Sequence, residues 1–505
     1  MRSISSDLLL QRIGDRSSSP FNRRLYECIR TAILDGSLAP GARLPATRDL
    51  AAELGISRNT VLFAYEQLLA EGYVRSRTGS GTFIADTSPD SYLTAGRSAA
   101  NRSTEPGVVR LSRRGVKVVE RAFASPVQWG PFVPGVPDVT QFPQRRFRQI
   151  TMRLWRNPSP ELLTYAHGGG HAGLREALAE HLRVARSMRC DPAQLLITEG
   201  IHQAIDLVVR LLGDSGDLAW VEEPGYWGIR SVLQINGVAT TPVAVDEEGL
   251  RLPKTGSRKP PRFIFVTPSH QYPLGSVMSL ARRRQLLEFA RANGSWIVED
   301  DYDSEFRFSG RPIPALQGLE PDAPVIYIGT FSKSMYPGLR IGYLVLPRAL
   351  VAPFQKAHAE LYREGHLLPQ AALGEFIRQG HYASHIRRMR LLYGKRRAIL
   401  VSLIERRLGP EYLHGHDSNA GLHVVLRLPD HVDDCAVAEA AKVRGVLVRP
   451  LSRYYASRET RRGLLLGYAC VPEGQIQPAF DFLLKYIPIH CCPDVERPER
   501  NNWLI

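Results

Sequence analysis

Thr330-Phe331-Ser332-Lys333-Ser334-Met335-Tyr336-Pro337-Gly338-Leu339-Arg340-Ile341-Gly342-Tyr343 decides how the rest of this 505-residue chain is read. It follows the apolar run Val325 to Ile328, which reads as a short buried strand, and leads into a second apolar run, Ile341 to Leu346. A lysine held between two buried strands is costly to keep charged and is readily deprotonated. The neutral amine is the form that condenses with an aldehyde to a Schiff base. Ser332 and Arg340 flank it with a hydroxyl and a fixed cation, a pairing suited to a phosphate. A lone lysine of this kind is usually a solvated loop residue, so the reading needs support from elsewhere in the chain.

That support lies upstream. Trp296-Ile297-Val298 is another strand-like run, and it ends in Glu299-Asp300-Asp301-Tyr302. Acidic residues at the carboxyl end of a strand can reach a ligand in the crevice there. Strand-Asp-x-Tyr followed by strand-Ser-Lys-x6-Arg resembles the pyridoxal phosphate (PLP) site of the fold-type I aminotransferases. The resemblance implies that Lys333 forms the Schiff base, Asp300 pairs with the pyridine nitrogen and Tyr302 contacts the phenolic oxygen. It also implies that Arg340 and Ser332 hold phosphate.

At this length two or more domains are expected. A hydrophobic fraction of 44% with 23% charged residues describes a soluble globular protein. The formal charge is +15, yet residues 1–86 carry 11 Lys/Arg against 9 Asp/Glu, so charge alone does not argue for DNA binding by that part. Six cysteines, Cys28, Cys190, Cys435, Cys470, Cys491 and Cys492, are scattered without zinc-ligand spacing, which predicts reduced thiols and no metal site. No apolar run approaches membrane-spanning length and the start is polar, so a cytoplasmic protein is expected.

In chain order, Phe21, Leu25, Cys28, Ile29, Ala32 and Ile33 recur at helical spacing, with Gly36 as a stop. After the turn-rich Pro40 to Pro45, Thr47 is placed to cap a second helix, Arg48 to Leu54, ended by Gly55. Ser57 caps a third, Arg58 to Glu71, with Val61, Ala64, Tyr65, Leu68 and Leu69 as its core side. Tyr73 to Ser76 and Thr82 to Ile84 flank Gly79-Ser80-Gly81 as a hairpin. Three short helices and a hairpin make a winged helix-turn-helix, and "LYECIRTAILDGSLAPGARLPATRDLAAELGISRNTVLFAYEQLLAEGYVRSRTGSGTFIA" closely resembles the GntR-family DNA-binding domain. The start of the third helix, Ser57, Arg58, Asn59 and Thr60, then offers donors to base edges and phosphates in the major groove. Arg43 and Arg48 stand where phosphate contacts are needed, and Gly81 lets the wing approach the DNA backbone.

The expected division is a DNA-binding domain over 1–86, a flexible linker over 87–121, a PLP-binding effector and dimerisation domain over 122–490, and a polar tail over 491–505. From about residue 125 helix-like and strand-like segments alternate, the pattern of an α/β domain with a mainly parallel sheet, closed by a small C-terminal α/β lobe. Gly168 to Gly170 lack the GxGxxG spacing of a nucleotide loop. Leu195 to Thr198 reads as a strand leading through Glu199-Gly200 into a helix, an anion site built from free N–H groups. In the aminotransferase pattern this turn is the phosphate cup, with Gly200, Ile201 and His202 contributing backbone N–H groups. Tyr226 matches the aromatic residue that stacks on the pyridine ring. Tyr272 stands where classical aminotransferases have an Asn on the phenolic oxygen, so that role can pass to His270. "GHYASHIRRMRLLYGKRR" (Gly380 to Arg397) is a very basic helix, read first as a solvated face.

A GntR-type winged helix joined to an aminotransferase-like domain is the layout of the MocR (GabR-like) transcriptional regulators. "TPSHQYPLGSVMSLARRRQLL", "VEDDYDSEFR" and "GTFSKSMYPGLRIGYLVLP" resemble that family specifically. The resemblance implies PLP on Lys333, a homodimer that can be head-to-tail, double-stranded DNA read as operator half-sites by the small domains, and control by PLP or by an amine or amino-acid effector. The arginine that some gamma-aminobutyrate-sensing relatives carry two residues after the stacking tyrosine is Gly228 here, and Leu464-Leu465-Leu466 is apolar where a substrate-carboxylate arginine would stand. The regulated genes are then expected to belong to vitamin B6 or amino-compound metabolism. The alternatives left open are a working aminotransferase with a regulatory DNA-binding head and a PLP-free DNA-binding scaffold.

Overall fold

A computed structural model describes residues 20–77, 79–85, 111–120, 125, 127–166, 168–253, 259–309, 313–320, 322–363, 366–413, 419–457 and 460–488. The chain divides into two compact units, 1–110 and 111–505.

The smaller unit is built from α1 (Phe21–Leu34), α2 (Thr47–Leu54), α3 (Arg58–Ala70) and an antiparallel hairpin of β1 (Val74–Arg77) and β2 (Gly81–Ile84). Leu25, Ile29 and Ala32 of α1 meet Leu50 of α2 and Val61, Ala64 and Leu68 of α3 in one core. Gly55 ends α2 in the left-handed conformation that a side chain disfavours. Ser57 caps α3 by accepting from the Thr60 N–H at 3.2 Å. Two local expectations fail. Ala46, not Thr47, precedes α2, and Thr47 is already helical, its hydroxyl accepting from Arg58 instead. Leu69 is 45% exposed, because it falls on the outer side of α3 with Leu62 and Phe63.

Part of the expected linker is ordered. Arg113–Glu120 form a helix in the larger unit, where Arg114 donates to the Ile235 carbonyl. Its Val116 and Val119 recur within one turn among arginines, an amphipathic pattern that composition alone reads as linker. The 491–505 tail lies outside the described residues.

The larger unit carries an eight-stranded sheet in the order β3-β10-β9-β8-β7-β4-β5-β6. These are β3 (Leu195–Thr198), β4 (Leu218–Glu223), β5 (Ala239–Asp246), β6 (Gly249–Leu250), β7 (Phe263–Val266), β8 (Trp296–Asp301), β9 (Val325–Thr330) and β10 (Gly342–Val345). Strands β5, β4, β7, β8 and β9 are parallel; β10 runs against both β3 and β9, so the carboxyl ends of β3, β4, β7, β8 and β9 share one edge. The central strands are apolar on both faces, as helices on both sides require. In β7, Phe263 and Phe265 pack on one face and Ile264 and Val266 on the other. A three-stranded antiparallel sheet, β11 (His423–Arg427), β13 (Gly463–Gly467) and β12 (Arg449–Pro450), forms the small lobe.

The basic helix His381–Arg407 ties the two lobes together and is not simply a solvated face. Its Arg396 is buried, 2.8 Å from the Asp138 carboxylate, while Tyr393 accepts from the Asp138 N–H. Among the described residues no helix is long and apolar enough to cross a membrane. Cys28, Cys190, Cys435 and Cys470 are free thiols; Cys491 and Cys492 lie outside the described residues.

Candidate cofactor site and nucleic-acid interface

The pleat of β8 sorts its acidic residues. Asp300 shares a face with Val298, whereas Glu299 and Asp301 share the other with Ile297. On that second face the acids are spent on structure. Glu299 accepts from the Leu316 and Gln317 N–H groups at 2.9 and 3.0 Å. Asp301 binds the buried Arg186 guanidinium at 2.7 Å and the Ser304 hydroxyl at 2.9 Å. Asp300 is equally buried, but its Oδ1 has no hydrogen-bond partner. Burial, then the neighbouring carboxyls, push its carboxyl up to about 7, with Lys333 opposing. An orphaned buried carboxyl at a strand's carboxyl end is what a protonated ring nitrogen would satisfy.

Lys333 follows β9 at the same edge. Its Nζ donates to the Gly135 carbonyl at 2.7 Å, and burial holds its amine below the usual lysine value while Asp303 and Asp300 pull the other way. Gly135 sits at φ +71°, which a side chain disfavours, and a Cβ there would stand 3.1 Å from the lysine Nζ and press on the amine. Tyr302, next along from β8, is buried with its hydroxyl 2.9 Å from His270 Nδ1. His270 therefore stands behind Tyr302 and also contacts Asp303 at 2.9 Å. Tyr226, ahead of the helix Trp227–Ile235, places its hydroxyl 3.0 Å from His202 Nε2, and its burial and the Asp300 charge raise its pKa.

The cup expected for phosphate is assembled from two loops. Gly200, at φ +93°, caps the helix Ile201–Leu212, and a Cβ there would lie 2.8 Å from Arg340 Nη2. Arg340 donates to the Glu199 carbonyl at 2.7 Å, which holds its guanidinium over the helix start. Ser332 joins from the lysine loop, its N–H and Oγ both bonded to Thr330 Oγ1 at 3.1 Å. Glu199 itself is exposed and contributes through its backbone. Gly168 to Gly170 serve packing instead. Ile197 donates to the Gly169 carbonyl, and a Cβ on Gly170 would strike Ile197 at 2.5 Å.

Lys333, Asp300, Tyr302, Tyr226, Ser332, Arg340, Gly200, Ile201 and His202 thus occupy one sheet edge, and the orphaned Asp300 with the glycine-lined cup fits PLP. Sequence reading missed Gly135, Asp303 and Glu222. Glu222 is buried at the end of β4, accepts from Thr267 and Gln271, and is pushed up to about 7 by burial. Asp303 was visible as the acid immediately after Tyr302; nothing local marks Gly135 beyond a Pro-Gly turn.

In the smaller unit, Ser57, Arg58 and Asn59 are exposed at the start of α3, with Thr60 partly so. Arg58 Nε reaches Thr47 Oγ1 at 3.4 Å, which sets it beside the exposed Arg48 at the start of α2. Arg43 is exposed and lies across the wing: a Cβ on Gly81, at φ +112°, would stand 2.8 Å from its Nε.

Residues 21–84 match the gntR family of bacterial regulatory proteins, and residues 140–483 match aminotransferase class I and II. The chain is 40% identical over 466 residues to a probable rhizopine catabolism regulatory protein, MocR, of Rhizobium meliloti, covering 92% of each chain. It belongs to the MocR-type GntR regulators. A second member, the pyridoxine biosynthesis transcriptional regulator PdxR of Corynebacterium glutamicum, is 32% identical over 90% of this chain and 93% of its own. The larger unit resembles the α-aminoadipate aminotransferase LysN of Thermus thermophilus, solved with a phosphopyridoxyl-leucine adduct. That likeness has a TM-score of 0.66 and 27% identity over 75% of this chain and 98% of that one. The protein is therefore a DNA-binding transcriptional regulator of the MocR type with a PLP-binding aminotransferase-like domain.

Proposed function

We propose that this MocR-type regulator uses occupancy at Lys333 to set the affinity of its winged helix for operator DNA, and that the sensed molecule is PLP itself. When bound, PLP supplies an aldehyde for the lysine amine and an electron-poor ring. The chain's own residues do the rest. Asp300 holds a proton at the ring nitrogen, Tyr302 donates to the ring oxygen, Tyr226 covers the ring, and Gly200, Ile201, His202, Ser332 and Arg340 fix the phosphate. Burial keeps the Lys333 amine closer to its neutral, nucleophilic form.

The observation that carries the reading is the unpaired, buried Asp300 Oδ1 between a suppressed lysine and a phosphate cup. The choice of PLP over a gamma-amino acid rests on Gly228. A Cβ there would lie 2.5 Å from Tyr226 and 2.6 Å from His202, so no arginine fits without displacing both rings. Of the apolar residues between 152 and 165, Met152, Trp155, Leu163 and Tyr165 are all more than half exposed, a concentration suited to a second copy of the chain. A homodimer would read two half-sites, as operator symmetry favours, and would act in the cytoplasm on the chromosome.

The test is visible absorption of the purified protein with PLP, before and after borohydride, followed by peptide mapping and a promoter mobility shift. An adduct on Lys333 together with PLP-dependent DNA affinity is expected. An adduct on another lysine, or DNA affinity indifferent to PLP but responsive to an amine, would overturn the choice of effector. Multiple-turnover transamination at ordinary enzyme rates would favour the working-enzyme reading instead.

A further inference from the structure

We propose that Asp303 and His270 form a buried relay that decides which way the hydroxyl hydrogen of Tyr302 points, making Asp303 a positioning residue for the cofactor's ring oxygen. The inference rests on the PLP reading of Lys333, Asp300 and Tyr302.

His270 and Asp303 are 4% and 2% exposed. His270 Nδ1 lies 2.9 Å from the Tyr302 hydroxyl, and 2.9 and 3.2 Å from the two Asp303 oxygens. One ring nitrogen thus faces two oxygen partners and carries at most one hydrogen. A carboxylate only accepts hydrogen bonds, so a bare Nδ1 would set its lone pair against it. The network assigns the hydrogen to Nδ1, shared between Asp303 and the Tyr302 oxygen. Tyr302 then accepts from His270, and its own hydrogen is left for the Asp303 carboxylate or for the oxygen that the cofactor would bring.

The geometry is held from three sides. The Tyr302 ring packs edge-on against Tyr272 at 5.5 Å. Gly275 borders the imidazole, where a Cβ would be 3.2 Å from Nε2. Gly421, at φ +82° just before β11, closes the third side; a Cβ there would stand 2.8 Å from His270 Nδ1 and 2.9 Å from Asp303 Oδ2.

Asp303→Asn tests the relay. An amide can donate to Nδ1, which permits the other tautomer and turns the Tyr302 hydrogen back onto His270. Nitrogen-15 spectra of the cofactor-free protein, with the His270 signal identified by its loss in His270→Gln, should show Nδ1 protonated in the unmodified chain and Nε2 protonated in Asp303→Asn. PLP affinity should fall about tenfold in Asp303→Asn, the scale of one charge-assisted hydrogen bond. In a Tyr302→Phe background the same change should move affinity less than about twofold, since the hydroxyl it steers is gone. A bare His270 Nδ1 in the unmodified protein would overturn the relay, as would equal losses in both backgrounds. If Asp303→Asn does not fold, the spectrum of the unmodified chain still decides. If the unmodified protein binds no PLP, the cofactor reading fails while the tautomer result stands alone.

Discussion

Gly200 and Arg340 occupy the same space up to one methyl group: a Cβ on Gly200 would stand 2.8 Å from Arg340 Nη2 and 3.1 Å from its Cζ. The contact joins the start of the helix Ile201–Leu212 to the loop after Lys333, which are 140 residues apart in the chain (340 − 200). Gly200→Ala therefore has to displace the guanidinium and also adopt φ +93° with a side chain. We expect PLP affinity to fall at least about tenfold and melting to drop by several degrees. Gly216→Ala is the control, since its φ is +95° with nothing within 4 Å, so it carries the backbone strain alone. Equal affinity losses in the two variants would remove Arg340 from the phosphate cup.

Arg58→Ala separates the modules. Arg58 is exposed at the first turn of α3 and held toward α2 by Thr47. A base or phosphate contact from such a position contributes about 1–3 kcal/mol, so operator affinity should fall about tenfold or more. The visible band with PLP should not change, because Arg58 belongs to the smaller unit. Unchanged DNA affinity would place the reading surface elsewhere on the winged helix.

The pH dependence of stability should report Asp300. Burial pushes its carboxyl from 3.8 up to about 7, with Asp301 and Glu222 adding to the shift. The folded, cofactor-free protein thus holds this proton more tightly than the unfolded chain. Its favourable contribution is complete below about pH 4 and is lost as pH rises through about 7. Asp300→Asn cannot titrate, so its stability relative to the unmodified chain should rise by about 3–4 kcal/mol between pH 4 and pH 8. Glu222 shifts in the same direction but is present in both proteins and cancels. Urea titrations at the two pH values measure this; a difference independent of pH would show that Asp300 is solvated. With PLP present the order should reverse, since only the aspartate can hold the ring nitrogen.

How far the sequence was legible follows from where each signal is stored. Lys333, Asp300 and Tyr302 each follow an apolar run, so a strand end and a chemical group are read together. The winged helix is equally local, because Ser57 and Gly55 mark the boundaries of α3 and α2 by capping chemistry. Three-dimensional partners were not legible. Arg186 sits at the end of the helix Ala172–Arg186 with no distinguishing neighbour, yet it neutralises Asp301 across 115 residues (301 − 186). Thr47 shows the converse failure: a good capping residue was displaced by one position because its hydroxyl serves Arg58. Leu69 failed because apolar spacing on α3 is ambiguous, and its neighbour Leu68 took the core position.

Arg186→Met tests that hidden partner. The pair with Asp301 is buried on both sides, and Arg186 also donates to the Ile313 carbonyl and to Ser269. Removing the cation leaves Asp301 unpaired in the interior, which costs about 3–5 kcal/mol. Changing both residues, Arg186→Met with Asp301→Leu, should recover part of that loss. A single variant as stable as the parent would mean that water already reaches Asp301.

Gly421→Ala asks whether the small lobe controls the cofactor ring contact. Gly421 lies one residue before Leu422 and two before β11, and its N–H donates to the Phe306 carbonyl, so the position is fixed at φ +82°. A methyl group there meets His270 and Asp303 together, 2.8 Å from the ring's Nδ1 and 2.9 Å from the Asp303 carboxylate. The imidazole should shift, Tyr302 should lose its partner, and PLP affinity should fall at least about tenfold. Gly474→Ala, in the helix Glu473–Leu484 with nothing within 4 Å, should instead leave affinity unchanged and add about 0.5–1 kcal/mol of stability. If Gly421→Ala lowers melting as strongly in His270→Ala as in the unmodified chain, backbone strain rather than the imidazole carries its effect. A loss confined to the chain with His270 would show that the small lobe reaches the cofactor through that ring.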